Sequence, residues 1–248
     1  MALQRLYTMT GKIPESGKSR FVTIIPVYNH GATVAEVVLE AGKLGFPVIV
    51  VDDGSTDQTS DRLREIPGIR VLTHPGNLGK GAALLTGLKA AADAADFAIA
   101  MDADGQHYPR DAHSLMDAIS PGERPLVLGC RKGMLGPDTP WTSRMGRRFS
   151  NFWILASGGP RVLDSQSGFR IYPLPETLGL KTRARRYEFE VEVLVKAHRN
   201  HIPVIEAPID VWYPAKEERV SHFRPFRDFL RNSAVFSRLI FRRIIGLT

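Results

Sequence analysis

Short apolar, β-branched runs alternate with segments of helical spacing over the first hundred residues. This alternation constrains the fold more than any other feature of the chain. Strands are predicted at 21–26, 47–52, 69–72 and 97–102. Helices are predicted between them, over about 32–44, 57–66 and 80–95. Because strands that alternate with helices form right-handed crossovers, the pattern predicts an α/β fold with a mostly parallel, Rossmann-like sheet flanked by helices.

The composition is that of a basic globular chain. Apolar residues make up 43% and charged residues 24%, which argues against wholesale disorder. The formal net charge of +7 favours an anionic partner such as a nucleotide, a nucleic acid or an acidic membrane surface. The single cysteine, Cys130, excludes an internal disulfide and a cysteine-cluster metal site, and it fits a reducing compartment. Neither a transmembrane helix nor a signal peptide is predicted.

Polar clusters directly follow three of the predicted strands, where parallel sheets bind their ligands. The clusters are Pro26-Val27-Tyr28-Asn29, Asp52-Asp53-Gly54-Ser55 and Asp102-Ala103-Asp104-Gly105. In the last cluster, two carboxylates spaced i and i+2 suit a divalent cation on phosphate oxygens, and Gln106 offers a further oxygen. The alternative is ordinary turn chemistry, since Asp-Gly is a common turn pair.

The second of these clusters and a further glycine-containing run have the chemistry of a nucleotide site. Asp53 could accept hydrogen bonds from a base or a ribose, while a neighbouring residue caps the next helix. The run Gly76-Asn77-Leu78-Gly79-Lys80-Gly81 precedes a helix, whose N-terminus favours an anion. This run matches neither the dinucleotide-binding nor the ATP-binding glycine fingerprint. Residues 17–19 look like the end of a phosphate-binding loop, but no glycine lies at position 12 and no strand precedes them.

Taken together, these motifs resemble the family-two inverting glycosyltransferases of GT-A fold in their order and spacing. The similarity is carried by residues 26–29, 51–57, 76–81 and 102–107. Downstream, residues 164–170 (Asp-Ser-Gln-Ser-Gly-Phe-Arg) and 187–192 (Tyr-Glu-Phe-Glu-Val-Glu) look like the dolichyl- and polyprenyl-phosphate sugar synthase branch. His30 departs from the acidic residue usual in the family, and Ser221-His222-Phe223 departs from the branch's Ser-Lys pair.

The resemblance implies a role for each matching position. The donor would be a nucleotide-diphosphate sugar, either a GDP-sugar or a UDP-sugar. Its nucleoside and phosphates would contact Pro26, Tyr28, Asn29, Asp53, Lys80 and Asp102. Mg²⁺ or Mn²⁺ on the diphosphate would be held by Asp102, Asp104 and Gln106. Phosphate groups of donor or acceptor would bind the guanidinium forks of Arg131 and Arg170.

The acceptor decides whether the reaction needs a base. A polyprenyl phosphate is already a nucleophile at pH 7, because its second pKa is near 6. A hydroxyl acceptor on a polysaccharide or glycolipid would need a carboxylate base, for which Asp164, Glu190 and Glu192 are the candidates. Each of these carboxylates could instead be surface charge or turn chemistry.

The C-terminal residues 225–247 alternate arginine with aromatic and aliphatic residues. With helical spacing, Arg227, Arg231, Arg238 and Arg242 share one arc, and apolar residues gather on another side. This is the pattern of an interfacial helix on an anionic membrane, although a helix packed on the domain with a solvated arginine face fits as well. We expect a cytoplasmic enzyme, peripheral at the inner face of the cell membrane.

The expected organisation has three parts. Residues 1–20 would be a flexible tail, 21–223 a single domain with a nucleotide half (21–107) and an acceptor half (108–223), and 224–248 the basic amphipathic helix. Two alternative classes are a sugar-1-phosphate nucleotidyltransferase and a non-catalytic membrane adaptor. A nucleic-acid partner is not expected, because no pattern of stacking aromatic residues in a basic groove is present.

Overall fold

The computed structural model describes residues 19–132, 141–211 and 225–245. The expected tail therefore lies almost wholly outside the described residues, as does the Ser221-His222-Phe223 loop. The strands are β1 (Phe21–Val27), β2 (Val48–Asp52), β3 (Arg70–Thr73), β4 (Phe97–Ala100), β5 (Leu126–Arg131), β6 (Arg170–Pro173) and β7 (Val204–Ile209). The α-helices are α1 (Val34–Gly42), α2 (Thr59–Arg64), α3 (Lys80–Ala91), α4 (Ala112–Asp117), α5 (Trp141–Ala156), α6 (Glu176–Gly179), α7 (Glu188–Arg199) and α8 (Pro225–Ile244).

These strands form one seven-stranded sheet in the order β3-β2-β1-β4-β6-β5-β7. The pairs β1–β2, β1–β4, β2–β3 and β5–β7 are parallel. The strand β6 runs antiparallel to both of its neighbours, β4 and β5. The predicted α/β architecture with a mostly parallel sheet is therefore confirmed.

The strand β6 is an element of the sheet that the sequence pattern did not predict. Its four residues, Arg170-Ile171-Tyr172-Pro173, begin with a charged residue and end with a proline, so they form no apolar run. All four are nevertheless buried. The strand lies between β4 and β5 and joins the part of the sheet formed by β1 to β4 to the part formed by β5 and β7.

Two apolar layers cover the two faces of the sheet. One contains buried residues of α3, α7 and α8, among them Leu88, Val193 and Phe236. The other contains buried residues of α1, α2 and α4, among them Val38 and Leu63. Burial on both faces explains why β1, β2 and β4 read as continuous apolar runs rather than as alternating ones.

The helix α8 is both packed and exposed. Val235, Phe236 and Leu239 are at most 5% exposed and pack in the layer that contains α7. Phe241 and Ile244, near the end of the helix, are 62% and 76% exposed. Among the residues described, the structure has no helix long and apolar enough to cross a membrane.

Candidate active site

The strand ends that carry the polar clusters lie side by side. The strands β2, β1 and β4 are adjacent and parallel, and Val27 pairs with Asp52 in register. The clusters after these strands therefore meet at the same edge of the sheet, as the sequence predicted. Hydrogen bonds and ion pairs then link each cluster to the next.

Asn29 ties the first cluster to the second. Its backbone N–H donates to Oγ of Ser55 at 2.9 Å, and its Oδ1 accepts from the backbone N–H of Thr56 at 2.7 Å. Asn29 has φ of +54°, a left-handed conformation that asparagine tolerates better than most residues. The side chain expected to contact the nucleoside thus shapes the loop that follows β2.

Asp53 ties the second cluster to the glycine-containing loop. Its Oδ1 accepts from the backbone N–H of Leu78 at 2.9 Å, and its Oδ2 accepts from that of Gly79 at 2.7 Å. The ring Nδ1 of His74 lies 2.7 Å from Oδ1. The carboxylate is 2% exposed. Because backbone N–H groups of this loop donate to both of its oxygens, Asp53 holds the loop before α3 in place. Its contact with the nucleoside stays a prediction.

The two loops approach each other at backbone level. A Cβ on Gly54 would lie 2.5 Å from Cα of Gly76, so no side chain fits at residue 54. Gly54 also has φ of +73°, which favours glycine. The loop that follows β2 and the loop that precedes α3 therefore form one surface.

Lys80, the first residue of α3, links this surface to the third cluster. Its Nζ lies 2.6 Å from Oδ1 of Asp102 and 2.9 Å from Oε1 of Glu190. Burial by itself lowers the pKa of Lys80, but the charges of the two carboxylates outweigh it and raise the pKa above its ordinary value. Lys80 is therefore a permanent ammonium at this edge of the sheet.

Asp102 and Asp104 respond differently to the same surroundings. Burial alone raises the pKa of Asp102, but Lys80 and neighbouring histidines bring it below its ordinary value. Burial, and then the charge of Asp102, raise the pKa of Asp104 to about 6. Asp104 Oδ1 accepts from the backbone N–H of Gln106 at 3.0 Å.

These two carboxylates fit a divalent cation that arrives with phosphate. Mg²⁺ in phosphate sites uses one or two carboxylates, several waters and the substrate's own oxygens. Burial and the charge of Asp102 both disfavour the ionised form of Asp104, and a cation beside the two carboxylates would offset both effects. In the part of the chain that the structure describes, no group of three or more His, Cys, Asp or Glu side chains could hold a metal ion. Asp102, Asp104 and Gln106 are the residues that could hold such a metal, together with the oxygens of a diphosphate.

Arg131 ends β5 and faces Asp164. Its Nε and Nη2 donate to the two carboxylate oxygens of Asp164 at 2.7 and 2.8 Å. Asp164 is fully buried, and although burial raises its pKa, the hydrogen bonds and charge of Arg131 hold it below the ordinary value. Asp164 orients the guanidinium of Arg131, and this engagement makes it a poor general base.

Arg170 does not lie where a phosphate could reach it. Its guanidinium is fully buried and donates to the backbone carbonyls of Ser167, Glu190 and Ser165 at 2.7, 2.8 and 2.8 Å. The phosphate role expected from the sequence is therefore corrected to a structural one. Arg170 joins the segment before β6 to the helix α7.

The acidic candidates on α7 are also engaged. Glu192 is 1% exposed and accepts from the backbone N–H groups of Arg183 and Ala184 at 2.9 and 2.7 Å. It also pairs with Lys196 and Arg238, each at 3.2 Å. Glu192 thus fixes the loop before α7, and it is not placed to act as a base.

The remaining predicted residues lie at the same edge of the sheet. Pro26 is buried in β1 and pairs in register with Val51, and Tyr28 follows the strand half-buried. His107, which follows the third cluster, is 8% exposed, and burial lowers its pKa to about 4. Its imidazole is therefore neutral at physiological pH.

Two residues of the site were missed from the sequence. His74 binds Asp53 through Nδ1, and it directly follows β3, so its position at a strand end was an available signal. A Cβ on Gly168 would lie 2.2 Å from Oδ2 of Asp102 and 2.6 Å from Nζ of Lys80. Gly168 therefore lies against the ion pair, which no local sequence pattern reveals.

A mostly parallel sheet with carboxylates, a lysine and a glycine-containing loop gathered at its strand ends defines a nucleotide-dependent α/β enzyme. Residues 22–174 match the sequence model of glycosyl transferase family 2. The chain belongs to this family and is a nucleotide-sugar-dependent glycosyltransferase. The nucleotidyltransferase and adaptor alternatives are thereby set aside.

Curated relatives cover most of the chain. It is 32% identical over 214 residues to the UDP-N-acetylglucosamine–dolichyl-phosphate N-acetylglucosaminyltransferase of Methanococcus voltae. This match covers 77% of this chain and 84% of the relative. It is 30% identical over 205 residues to the undecaprenyl-phosphate mannosyltransferase of Micrococcus luteus, with 77% and 82% covered.

A solved structure supports the GT-A-like fold. The mannosyl-3-phosphoglycerate synthase of Rubrobacter xylanophilus superposes with a TM-score of 0.64 at 18% identity. The match covers 92% of this chain and 74% of that structure. At this identity the similarity concerns the fold alone.

Proposed function

We propose that this protein is a metal-dependent, inverting glycosyltransferase that moves a sugar from a nucleotide-diphosphate sugar to a polyprenyl phosphate or a related membrane lipid. The observation that carries the donor half of the proposal is the pair Asp102 and Asp104 at the end of β4, beside Lys80 and the loop before α3. The names of the relatives, which specify dolichyl phosphate and undecaprenyl phosphate, support the acceptor half.

The donor would bind across the strand ends. Mg²⁺ or Mn²⁺, held by Asp102, Asp104 and Gln106, would stabilise the negative charge of the leaving diphosphate. Lys80 supplies a permanent positive charge beside the same position, and the N-terminus of α3 favours an anion. Asp53 and Asn29 keep the surrounding loops in the shape that receives the nucleotide.

The state of the acidic residues favours a phosphate acceptor over a hydroxyl acceptor. A hydroxyl needs a free carboxylate to take its proton, whereas a phosphate is already ionised near pH 7. Asp164 is held by Arg131, Glu190 by Lys80, and Glu192 by backbone N–H groups. A reaction that needs no base is consistent with a site whose three candidate bases are engaged in this way.

A surface on α5 and α8 supports a membrane location for the acceptor. Met145, Phe149 and Phe152 are 54%, 41% and 60% exposed, and their spacing of i, i+4 and i+7 places them on one side of α5. On α8, Phe241 and Ile244 are exposed. The two helices pack together, with the rings of Trp153 and Phe236 6.1 Å apart. We call the five exposed residues the α5/α8 surface.

Two of the four predicted arginines of α8 can be described, while the side chains of Arg227 and Arg242 lie outside the described residues. Arg231 is exposed, as the interfacial interpretation requires. Arg238 instead pairs with Glu192 at 3.2 Å, so it secures the helix to α7. An exposed apolar surface, with an exposed arginine on one of its two helices, suits the headgroup region of an anionic bilayer. The prediction of an anionic membrane partner is thus retained, with α5 added to α8.

The donor and acceptor are tested with a panel of GDP-sugars and UDP-sugars in the presence of Mn²⁺, with and without a polyprenyl phosphate. We expect one donor to yield a lipid-linked sugar and free nucleoside diphosphate. Addition of EDTA should stop the reaction. Transfer to a hydroxyl acceptor with no transfer to the lipid phosphate would overturn the acceptor half of the proposal.

The metal role is tested with D104A. This variant removes one metal ligand, so turnover should fall by at least about 100-fold while the thermal unfolding midpoint stays near that of the wild type. The matched control is D117A, which removes an exposed carboxylate at the end of α4 and should retain full activity. Full activity of D104A in the presence of EDTA would contradict a metal-dependent mechanism.

The membrane location is tested by co-sedimentation with anionic and neutral vesicles. The wild type should sediment with anionic vesicles at low salt and less so at high salt, because salt screens the arginines but not the apolar contacts. F152E/F241E should stay in the supernatant. L39E, which changes a 54% exposed leucine on α1 in the opposite layer, should still sediment. Wild-type protein that stays in the supernatant would overturn this location.

A further inference from the structure

The ammonium of Lys80 lies against a proposed metal ligand. Its Nζ is 2.6 Å from Oδ1 of Asp102, an ion-pair distance, and the side chains of Lys80 and Asp102 are 15% and 25% exposed. The other oxygen of Asp102, Oδ2, faces the backbone of Gly168, where a Cβ would approach to 2.2 Å. Both oxygens of Asp102 are therefore adjacent to other groups of the protein.

A divalent cation and this ammonium compete for the same carboxylate. A metal ligated by Asp102 would stand within a few ångströms of Nζ, and two positive charges this close in a buried site repel strongly. Glu190 is a second ion-pair partner for the ammonium, since its Oε1 lies 2.9 Å from Nζ. A small movement of the lysine side chain toward Glu190 would free Asp102.

We infer that the ammonium of Lys80 is the counter-ion of Asp102 and occupies the metal position until a diphosphate binds. The metal and the nucleotide would therefore bind together and not separately. This inference rests on the proposed donor site. With a metal–diphosphate complex in the site, Asp102 would hold the metal, and Lys80, positioned by Glu190, would donate to the diphosphate instead. Lys80 then contributes oppositely to two equilibria: it weakens binding of the metal alone and strengthens binding of the metal–nucleotide complex.

The first measurement uses the wild-type protein. Binding of Mn²⁺ alone, followed by the electron paramagnetic resonance signal of free Mn²⁺, should be weak. GDP or UDP should in turn bind much more tightly with Mn²⁺ than without it, since coupling between two ligands is reciprocal. Tight binding of Mn²⁺ to the wild type in the absence of nucleotide would overturn the inference, whether or not any variant folds.

The second measurement uses K80M. This variant removes the ammonium and keeps an apolar stem of similar length. Mn²⁺ alone should bind it at least about tenfold more tightly than the wild type, because the competing charge is gone. The nucleoside diphosphate, titrated calorimetrically at saturating Mn²⁺, should bind at least about tenfold more weakly. A purely structural lysine would weaken both equilibria, and that result would overturn the inference.

Two further variants serve as controls. K89M removes an exposed lysine from the last turn of the same helix and should leave both affinities unchanged. E190Q removes the second partner, so Lys80 should hold Asp102 more firmly and Mn²⁺ alone should bind no more tightly than to the wild type. K80Q repeats the test with a polar side chain and is interpreted in the same way if K80M does not fold.

The outcomes separate this inference from the proposed function. If the wild type turns over a nucleotide-sugar with Mn²⁺ but K80M binds Mn²⁺ alone no more tightly, the donor site stands and the role of Lys80 as counter-ion is wrong. If the wild type binds no nucleoside diphosphate with Mn²⁺, the proposed donor site itself is wrong.

Discussion

Replacement of Arg170 tests whether a buried arginine at the site has a structural role or binds substrate. The guanidinium is fully buried, and each of its three nitrogens donates to a different backbone carbonyl. Two of these carbonyls, from Ser165 and Ser167, lie in the segment before β6, and the third belongs to Glu190 in α7. In R170M an apolar side chain of lower volume would leave the carbonyls without these donors.

The expected loss of stability follows from these contacts. A hydrogen bond to a charged group contributes about 1.5–3 kcal/mol, so three contribute roughly 5–9 kcal/mol in gross terms. Burial of the guanidinium costs several kcal/mol, and R170M recovers that cost. The net decrease in the free energy of unfolding should therefore be about 3–5 kcal/mol, a large share of the stability of a single domain.

The assay is urea denaturation with linear extrapolation to zero denaturant. R170K should be intermediate, because one ammonium cannot reach all three carbonyls as the planar fork does. R161M, at an exposed arginine, should change stability by less than about 0.5 kcal/mol. If R170M unfolds like the wild type but loses affinity for nucleoside diphosphate or lipid phosphate, the structural assignment is wrong and the phosphate role is restored.

Three other changes probe the strand ends. G168A should reduce turnover by at least about tenfold, because a Cβ 2.2 Å from Oδ2 of Asp102 must displace that carboxylate. Initial rates at saturating Mn²⁺ measure the effect. A fully active variant would contradict the close contact. Burial and the charge of Asp102 raise the pKa of Asp104 to about 6, and the proton of Asp104 must leave before a metal binds. The affinity for Mn²⁺ in the presence of nucleoside diphosphate should therefore decrease as the pH drops below 6 and should be constant at higher pH. A pH-independent affinity between pH 5 and 7 would refute this. D53N replaces one acceptor oxygen by a donor and should destabilise the fold by about 1–3 kcal/mol and weaken nucleotide binding through the loop at Gly79, as followed by thermal melting and calorimetry.

The sequence by itself determined the parallel part of the sheet and the edge at which the site lies. Apolar runs such as Val48–Val51 must be buried on both faces, and the helices between them impose parallel crossovers. Once strands are parallel and adjacent, the residues after them meet at one edge, so the placement of Asp53 and Asp102 at that edge follows from the sequence alone. These conclusions depend on local pattern and chain connectivity, both of which a linear sequence contains.

Only the tertiary structure decided what each polar side chain does there. A carboxylate is equally able to bind a ligand, a lysine or a backbone N–H group, and the sequence does not state which of these lies nearest. Asp53 proved to hold a loop that begins more than twenty residues later, and Glu190 proved to pair with Lys80 from another helix. The resemblance places Arg170 on phosphate, whereas packing of the segment before β6 against α7 surrounds its guanidinium with three backbone carbonyls. Hydrogen bonds and ion pairs act over about 3 Å in space, and the distances that decide them are set by packing of segments far apart in the chain.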